Sequence, residues 1–301
     1  MTLVVRRSEL ATPATNSKLV ASAMRTSVDL VFLDLEDAVA PTQKPAAREQ
    51  AVEALLEPNW IPRARAIRIN SIETQWAYRD IVDVVSGARD RLDTIVVPKV
   101  KSGRDVWWVS CLLDQLEADL GIQKPIRLEV LIEEAEAVLR AEEIALSSDR
   151  LDALIFGAGD LSASQGARVD VNFLAPETYP GDMWHFARSM VVLAARTAGI
   201  AAIDAPFPDF SDADGYRSEC ERVRTLGFNG KWAIHPSQIV IATDVFSPAL
   251  DEVERARKII ELCEDMDAAG QGSMTFEGAM LDIGAIRAAR QLVEYADSIR
   301  D

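Results

Sequence analysis

Eight short runs rich in β-branched and apolar residues recur through the first 236 residues, and most are separated by a longer stretch with helical periodicity. The predicted strands are Leu3–Ala11, Val28–Leu35, Ala64–Asn70, Leu92–Val100, Ile126–Ile132, Leu151–Gly157, Ile200–Ala205 and Phe228–His235. The predicted helices are Lys18–Arg25, Lys44–Leu56, Gln75–Val85, Asp105–Leu120, Glu134–Leu146, Trp184–Ala198 and Asp212–Leu226. Parallel strands need crossover connections, so this order points to βα units. A doubly wound sheet fits the same count, but no Gly-x-Gly-x-x-Gly follows an early strand. The expected fold is therefore an α/β protein, a (β/α)8 TIM barrel.

The strand ends agree with a barrel. Asp34, Glu36, Arg68, Asn70, Lys99, Glu133, Asp160, Asp204 and His235 all fall at or just past the C-terminal end of a predicted strand. In a barrel those ends form one rim, where catalytic groups gather. Ordinary strand-end polarity explains polar residues there, but not so many charges closing apolar runs.

After His235 the pattern turns helical, over Ser237–Val245 and then Ala249–Asp267. The Gly-containing break Ala269-Gly270-Gln271-Gly272 reads as a linker. Phe276–Arg300 follows with an apolar stripe of Ile283, Ile286, Leu292, Val293 and Ala296, which must pack on its own barrel or on a neighbour's. The expected organisation is a barrel over 1–248 and a helix, linker and lid segment over 249–301.

Composition narrows the partners. With 49% hydrophobic and 27% charged residues the chain has an ordinary globular balance, and its net charge is −16. Such a surface repels phosphate backbones and anionic lipid, which argues against nucleic-acid and membrane partners. An anionic small molecule needs a local positive site, from arginine or a metal. Cys111, Cys220 and Cys263 are far apart and read as free thiols of a reducing compartment. The start lacks an apolar targeting run, and Met190 to Ile203 is too short to span a bilayer, so a cytoplasmic location is expected.

Glu133 and Asp160 form the strongest constellation. They close successive strands, and two carboxylates without clustered Cys or His suit a hard ion, Mg2+ or alternatively Mn2+, that keeps positions open for water and substrate. Each alone reads as a strand-end Glu or an N-cap Asp; the pair, with Gly157, Ala158 and Gly159 leaving room, reads as a metal site. Glu129, further from the strand end, is the second choice. Asp34, Glu36 and Asp37 crowd the second strand's end, and Asp34 and Glu36 point to one side. Arg68, one strand on, is their expected partner, either as a structural ion pair or facing a carboxylate or enolate oxygen. His185 and His235 are read as structural residues.

Taken as an ordered set, these motifs are specific. Arg7-Ser8, Leu33-Asp34-Leu35-Glu36-Asp37-Ala38-Val39-Ala40-Pro41, Ile67-Arg68-Ile69-Asn70, Pro98-Lys99-Val100, Ile132-Glu133 and Gly157-Ala158-Gly159-Asp160 come first. Ala205-Pro206-Phe207, Asp209-Phe210-Ser211-Asp212, Gly230-Lys231-Trp232-Ala233-Ile234-His235-Pro236 and Leu281-Asp282-Ile283 follow. Over nearly its whole length the chain resembles the citrate lyase β-subunit (HpcH/HpaI-type aldolase) superfamily, and within it the malyl-CoA lyase branch. The resemblance implies Mg2+ held by Glu133 and Asp160, and Arg68 against the substrate and the thioester enolate. It implies Asp282 as an acid/base carried by a neighbouring subunit's lid, in a homotrimer or homohexamer. Asp34, Glu36, Asp37, Gly159 and Pro206 are expected around the substrate.

One stretch departs from the family pattern. Where relatives carry Pro-Gly and then an Arg and a Lys for the CoA phosphates, this chain reads Pro13-Ala14-Thr15-Asn16-Ser17-Lys18, with Ser22 further on. Arg7, Lys18 and Arg25 are the expected substitutes, with Arg6 a further one. The implied activity is reversible cleavage of a malyl-CoA-type 3-hydroxyacyl-CoA into an acyl-CoA and a 2-oxo acid such as glyoxylate. The alternatives are a citramalyl- or methylmalyl-CoA lyase, a malyl-CoA thioesterase, a CoA-independent aldolase with the same metal site, or a non-catalytic subunit that binds 2-oxo acids.

Overall fold

In a computed structural model, residues 4–176, 178–269, 274–277, 279–281 and 283–300 are described. Eight parallel strands close a barrel in chain order: β1 Ser8–Pro13, β2 Leu30–Asp34, β3 Ala64–Arg68, β4 Thr94–Val97, β5 Arg127–Ile132, β6 Leu151–Phe156, β7 Ala201–Asp204 and β8 Gly230–Ala233. Closure is made by β1 on β8, with Ser8 opposite Lys231 and Leu10 opposite Ala233. Leu30, Val31, Phe32 and Leu33 are all inaccessible to solvent, as expected of strands covered on both faces.

Helices connect successive strands. Ala77–Ala88 buries Ile81, Val84 and Val85, which recur at helical spacing along one face. Gly103–Leu120 begins where Asp105 accepts the Ser102 N–H at 3.0 Å, and ends at Gly121 with φ +67°.

Three elements depart locally from expectation. β6 runs through Gly157 directly into a helix over Ala158–Gln165 that small and polar residues disguise, because they carry no apolar stripe. The expected helix Glu134–Leu146 is broken at Arg140 (φ −116°, ψ 19°) into Ala135–Leu139 and Ala141–Ala145. The expected helix over Phe276–Arg300 begins only at Ile283; before it, β9 Met274–Phe276 and β10 Ala279–Leu281 pair antiparallel, with Leu281 opposite Met274. Residues 270–272 of the linker lie outside the described residues.

The chain divides into two compact units, the barrel Arg6–Phe246 and a unit formed from Ser247 onward with the residues preceding Arg6. In the second unit the helices Leu250–Ala269 and Ile283–Arg300 are tied by Arg257 and Asp297 at 2.7 Å. Ala296 of the apolar stripe is buried and Ile283 is exposed. No described helix is long and apolar enough to cross a membrane. Cys111 and Cys220 are free thiols.

Candidate active site

The barrel interior is filled from below by an unusual set of polar groups. Arg6, just before β1, reaches across to β5 and binds Glu129 at 2.8 Å, and Glu9 accepts the Trp232 indole N–H at 2.8 Å. All four are buried. Glu129 lies on the same side of β5 as Glu133 but deeper, where Arg6 occupies it; it is a packing residue of the barrel. Above this layer Phe32 and Trp232 meet at 4.5 Å between ring centroids, and the Arg68 guanidinium sits 6.0 and 5.7 Å from those two rings.

Arg68 closes β3 and is gripped by the end of β2. Its Nε and Nη2 donate to the two oxygens of Asp34 at 2.8 and 2.7 Å, Nη1 lies 3.1 Å from Glu36, and Asp37 is 3.5 Å away. Burial disfavours a charged guanidinium, but the carboxylates of Asp34, Glu36 and Asp37 together, Asp34 foremost, more than offset it and hold the Arg68 pKa above its ordinary value. Burial likewise opposes ionisation of Asp34, yet Arg68 keeps that carboxyl below its usual range. The residues expected to meet here therefore do so, and Asp37 remains largely exposed.

Glu133 follows β5 and Asp160 sits in the first turn after β6. The Lys99 N–H donates to Glu133 Oε1 at 2.8 Å, while Gly157 backs the same side chain so closely that a Cβ there would lie 2.7 Å from Oε2. Burial pushes the Glu133 carboxyl up to about 8, and the nearby charges of Asp160 and Glu36 add to the shift. A buried carboxylate crowded by other negative charges is the arrangement a divalent cation relieves. The pair therefore fits a hard cation that keeps open positions. Among the described residues no group of three or more His, Cys, Asp or Glu is placed to hold a metal ion by itself.

These residues share one cleft of about 230 Å³, lined by Asp37, Arg68, Glu133, Gly159, Asp160 and Pro206, with Trp232 among the apolar walls. Phe173 covers one side, its ring close enough that a Cβ on Gly159 would lie 3.2 Å from it. Lys99 binds Glu36 at 2.7 Å and lies 3.7 Å from Asp160. Its place at a strand end was legible, but not its bond to Glu36. A signal was present in the sequence: a lysine just past β4, on the same rim as the acids that follow β2 and β5.

Other expectations need correction. Arg7 precedes β1 and binds Asp29, which precedes β2, through three donors at 2.7 to 2.9 Å. It thus lies at the N-terminal end of the barrel, opposite the cleft, and cannot serve CoA there. Arg6 is enclosed in the interior, and Arg25 lies past the far end of the helix Ser17–Ala23, on the side where β2 begins. Lys18 is exposed in the first turn of that helix, on the rim side. Asp204 is wholly buried with Arg188 and Lys231, and Asn70 is tied to Asp80 and to the Leu35 carbonyl. His235 is exposed and stacks on Phe210. Asp282 lies outside the described residues.

L-malyl-CoA/beta-methylmalyl-CoA lyase of Cereibacter sphaeroides is 40% identical over 95% of this chain and 92% of its own length. The (3S)-malyl-CoA thioesterase of the same species is 35% identical over 97% of this chain and 95% of its own. Among solved structures, CitE of Mycobacterium tuberculosis in complex with magnesium, acetoacetate and coenzyme A superposes with a TM-score of 0.76 at 29% identity, covering 96% of this chain and 97% of that one. Residues 7–236 match the family model of HpcH/HpaI aldolase/citrate lyase, and the chain belongs to that family.

Proposed function

We propose that the protein is a Mg2+-dependent carbon–carbon lyase that reversibly cleaves a malyl-CoA-type 3-hydroxyacyl-CoA into an acyl-CoA and a 2-oxo acid such as glyoxylate. The observation that carries this reading is the meeting of Glu133, Asp160 and Arg68 on one cleft. Glu133 and Asp160 would hold the cation, Mg2+ or in its place Mn2+. Bound there, it supplies Lewis-acid polarisation of the oxo-acid carbonyl.

The chain's own residues account for the rest. Arg68, pinned by Asp34, presents a fixed positive charge toward the cleft, where negative charge develops on the thioester enolate as the carbon–carbon bond breaks. Asp282 is assigned the proton, given to the enolate carbon in cleavage or taken from the acyl-CoA in condensation. We assign residues 1–248 to the catalytic barrel and 249–301 to a lid segment that reaches a neighbouring subunit of a homotrimer or homohexamer. Lys18 is the remaining candidate for the CoA phosphates.

Incubation with malyl-CoA and Mg2+, with glyoxylate and free thiol followed separately, tests the reading. Glyoxylate without thiol is the expected result. Thiol with malate would make the protein a thioesterase, and the absence of both glyoxylate and thiol would overturn the malyl-CoA assignment.

A further inference from the structure

Lys99 combines an unfavourable backbone with a half-buried charge. Its φ is +53°, in the left-handed region that L side chains rarely adopt. A lysine retained there needs a compensating gain, and strained positions of this kind gather at functional sites. Two contacts depend on that conformation. The N–H is aimed at Glu133 Oε1 at 2.8 Å, and Nζ returns over the cleft to Glu36 Oε1 at 2.7 Å, 3.7 Å from both Asp37 and Asp160.

Glu36 is the link to Arg68. Its Oε2 is buried and stands 3.1 Å from Arg68 Nη1 as an ion pair, yet takes no aligned hydrogen bond. Lys99 therefore supplies the hydrogen bond that anchors this carboxylate. Lys44 is near but is committed to the carbonyl oxygens of Leu35 and Glu36, at 2.7 and 2.6 Å, and is not free to replace it.

We propose that Lys99 is a positioning residue for Arg68: its ammonium group anchors Glu36, so that Glu36 does not draw the guanidinium away from the cleft. Released from Lys99, Glu36 is left with Arg68 as its neighbouring cation and pulls on it, and the cleft becomes more negative toward an anionic substrate. Only the identity of that substrate rests on the proposed lyase activity. The effect on metal has the opposite sign, because removing a positive charge 3.7 Å from Asp160 favours binding of a dication.

Lys99→Gly separates side chain from backbone, since glycine accepts φ +53° and keeps the N–H that holds Glu133. Melting temperature, Mg2+ binding by calorimetry, oxalate binding to the Mg2+-loaded protein and malyl-CoA cleavage are compared with wild type. Oxalate is the probe because it is a dianion able to chelate the cation and meet Arg68. The variant is expected to melt no lower and to bind Mg2+ at least as tightly. Its oxalate affinity and kcat/KM should fall by about a hundredfold, the scale of an ångström-level misplacement. Lys99→Arg, or ethylammonium added to the glycine variant, should restore part of both.

Oxalate affinity unchanged in Lys99→Gly, or lost only in step with Mg2+ affinity, overturns the proposal. If wild type cleaves no malyl-CoA but Lys99→Gly still loses oxalate, the lyase reading fails and the positioning role stands. If wild type cleaves and the variant keeps its oxalate affinity, the reverse holds. Wild type that binds no oxalate overturns both.

Discussion

Arg68 holds both oxygens of Asp34 in a two-pronged grip, Nε on Oδ1 at 2.8 Å and Nη2 on Oδ2 at 2.7 Å, across the register pair that joins the ends of β2 and β3. The same Asp34 oxygens accept the N–H groups of Glu36 and Ala38, at 2.9 and 3.1 Å. One carboxylate therefore sets both the guanidinium and the acidic turn beside it.

The two members of the pair should fail differently. Asp34→Ala leaves a buried guanidinium without its main partner and two backbone donors unmet, so urea unfolding should show a loss of about 3–5 kcal/mol. Arg68→Lys keeps the charge but loses the planar fork. It should retain most of the stability while kcat falls by about a hundredfold, the scale measured for loss of a charge-stabilising donor. Equal stability losses in both variants would show that Arg68 is only a structural partner.

How far this site could be read from sequence depends on direction along the strands. Asp34, Glu36 and Arg68 closed predicted strands with matching parity, and strand parity alone brings such residues to one side. Arg7 shows the limit of motif position alone: the predicted strand Leu3–Ala11 puts it inside β1, whereas it precedes Ser8–Pro13 and belongs with Asp29 at the opposite end. The helix Ala158–Gln165 escaped because small residues that make room around Asp160 also erase the apolar period. The left-handed backbone of Lys99 has no sequence signature, since glycine is the residue that announces positive φ.

Gly157 makes the metal proposal testable without touching either acid. A Cβ at 157 would lie 2.6 Å from the Glu133 Cβ and 2.7 Å from its Oε2, closer than real Cβ contacts come. Gly157→Ala should displace the Glu133 carboxylate and weaken Mg2+ at least about tenfold, the lower end for disturbing a ligand's support. Wild type should melt higher as Mg2+ is added, because a ligand that binds only the folded state stabilises it. The variant and Asp160→Asn should lose most of that shift. A full shift in Asp160→Asn would remove Asp160 from the metal site.

The acid pair in the barrel floor gives a pH dependence. Glu9 Oε1 and Glu129 Oε2 are buried acceptors that no donor reaches while both groups are ionised. Burial, and then the charge of Glu129, raise the Glu9 carboxyl well above its ordinary value. The folded protein therefore binds a proton that the unfolded chain releases above the ordinary carboxylate range. Its contribution is full below that range and is lost as pH rises toward the raised value. Glu9→Gln keeps an acceptor for Trp232 and replaces the acid proton with a permanent N–H. Its stability in urea should vary less with pH than that of wild type and should exceed it at alkaline pH. Glu129→Gln should instead destabilise at all pH values, since Arg6 loses its buried counter-charge. Parallel pH profiles for wild type and Glu9→Gln would show that Glu9 is ionised in the fold.

The assignment of Asp282 separates binding from turnover. An acid/base that acts only on the carbon skeleton contributes to the transition state and little to the ground state, so its removal should lower kcat and leave oxo-acid affinity alone. Asp282→Asn is therefore expected to bind Mg2+ and oxalate as wild type does while losing about a hundredfold or more in kcat. Asp160→Asn should lose metal and activity together. If Asp282 is carried by a neighbouring subunit, mixing the two inactive variants under exchange creates sites with an intact metal pair from one chain and an intact acid from the other. Activity should then return to a fraction of wild type. Its absence after exchange verified by mass spectrometry would confine Asp282 to its own barrel, and full activity in Asp282→Asn alone would leave the enolate proton to another group.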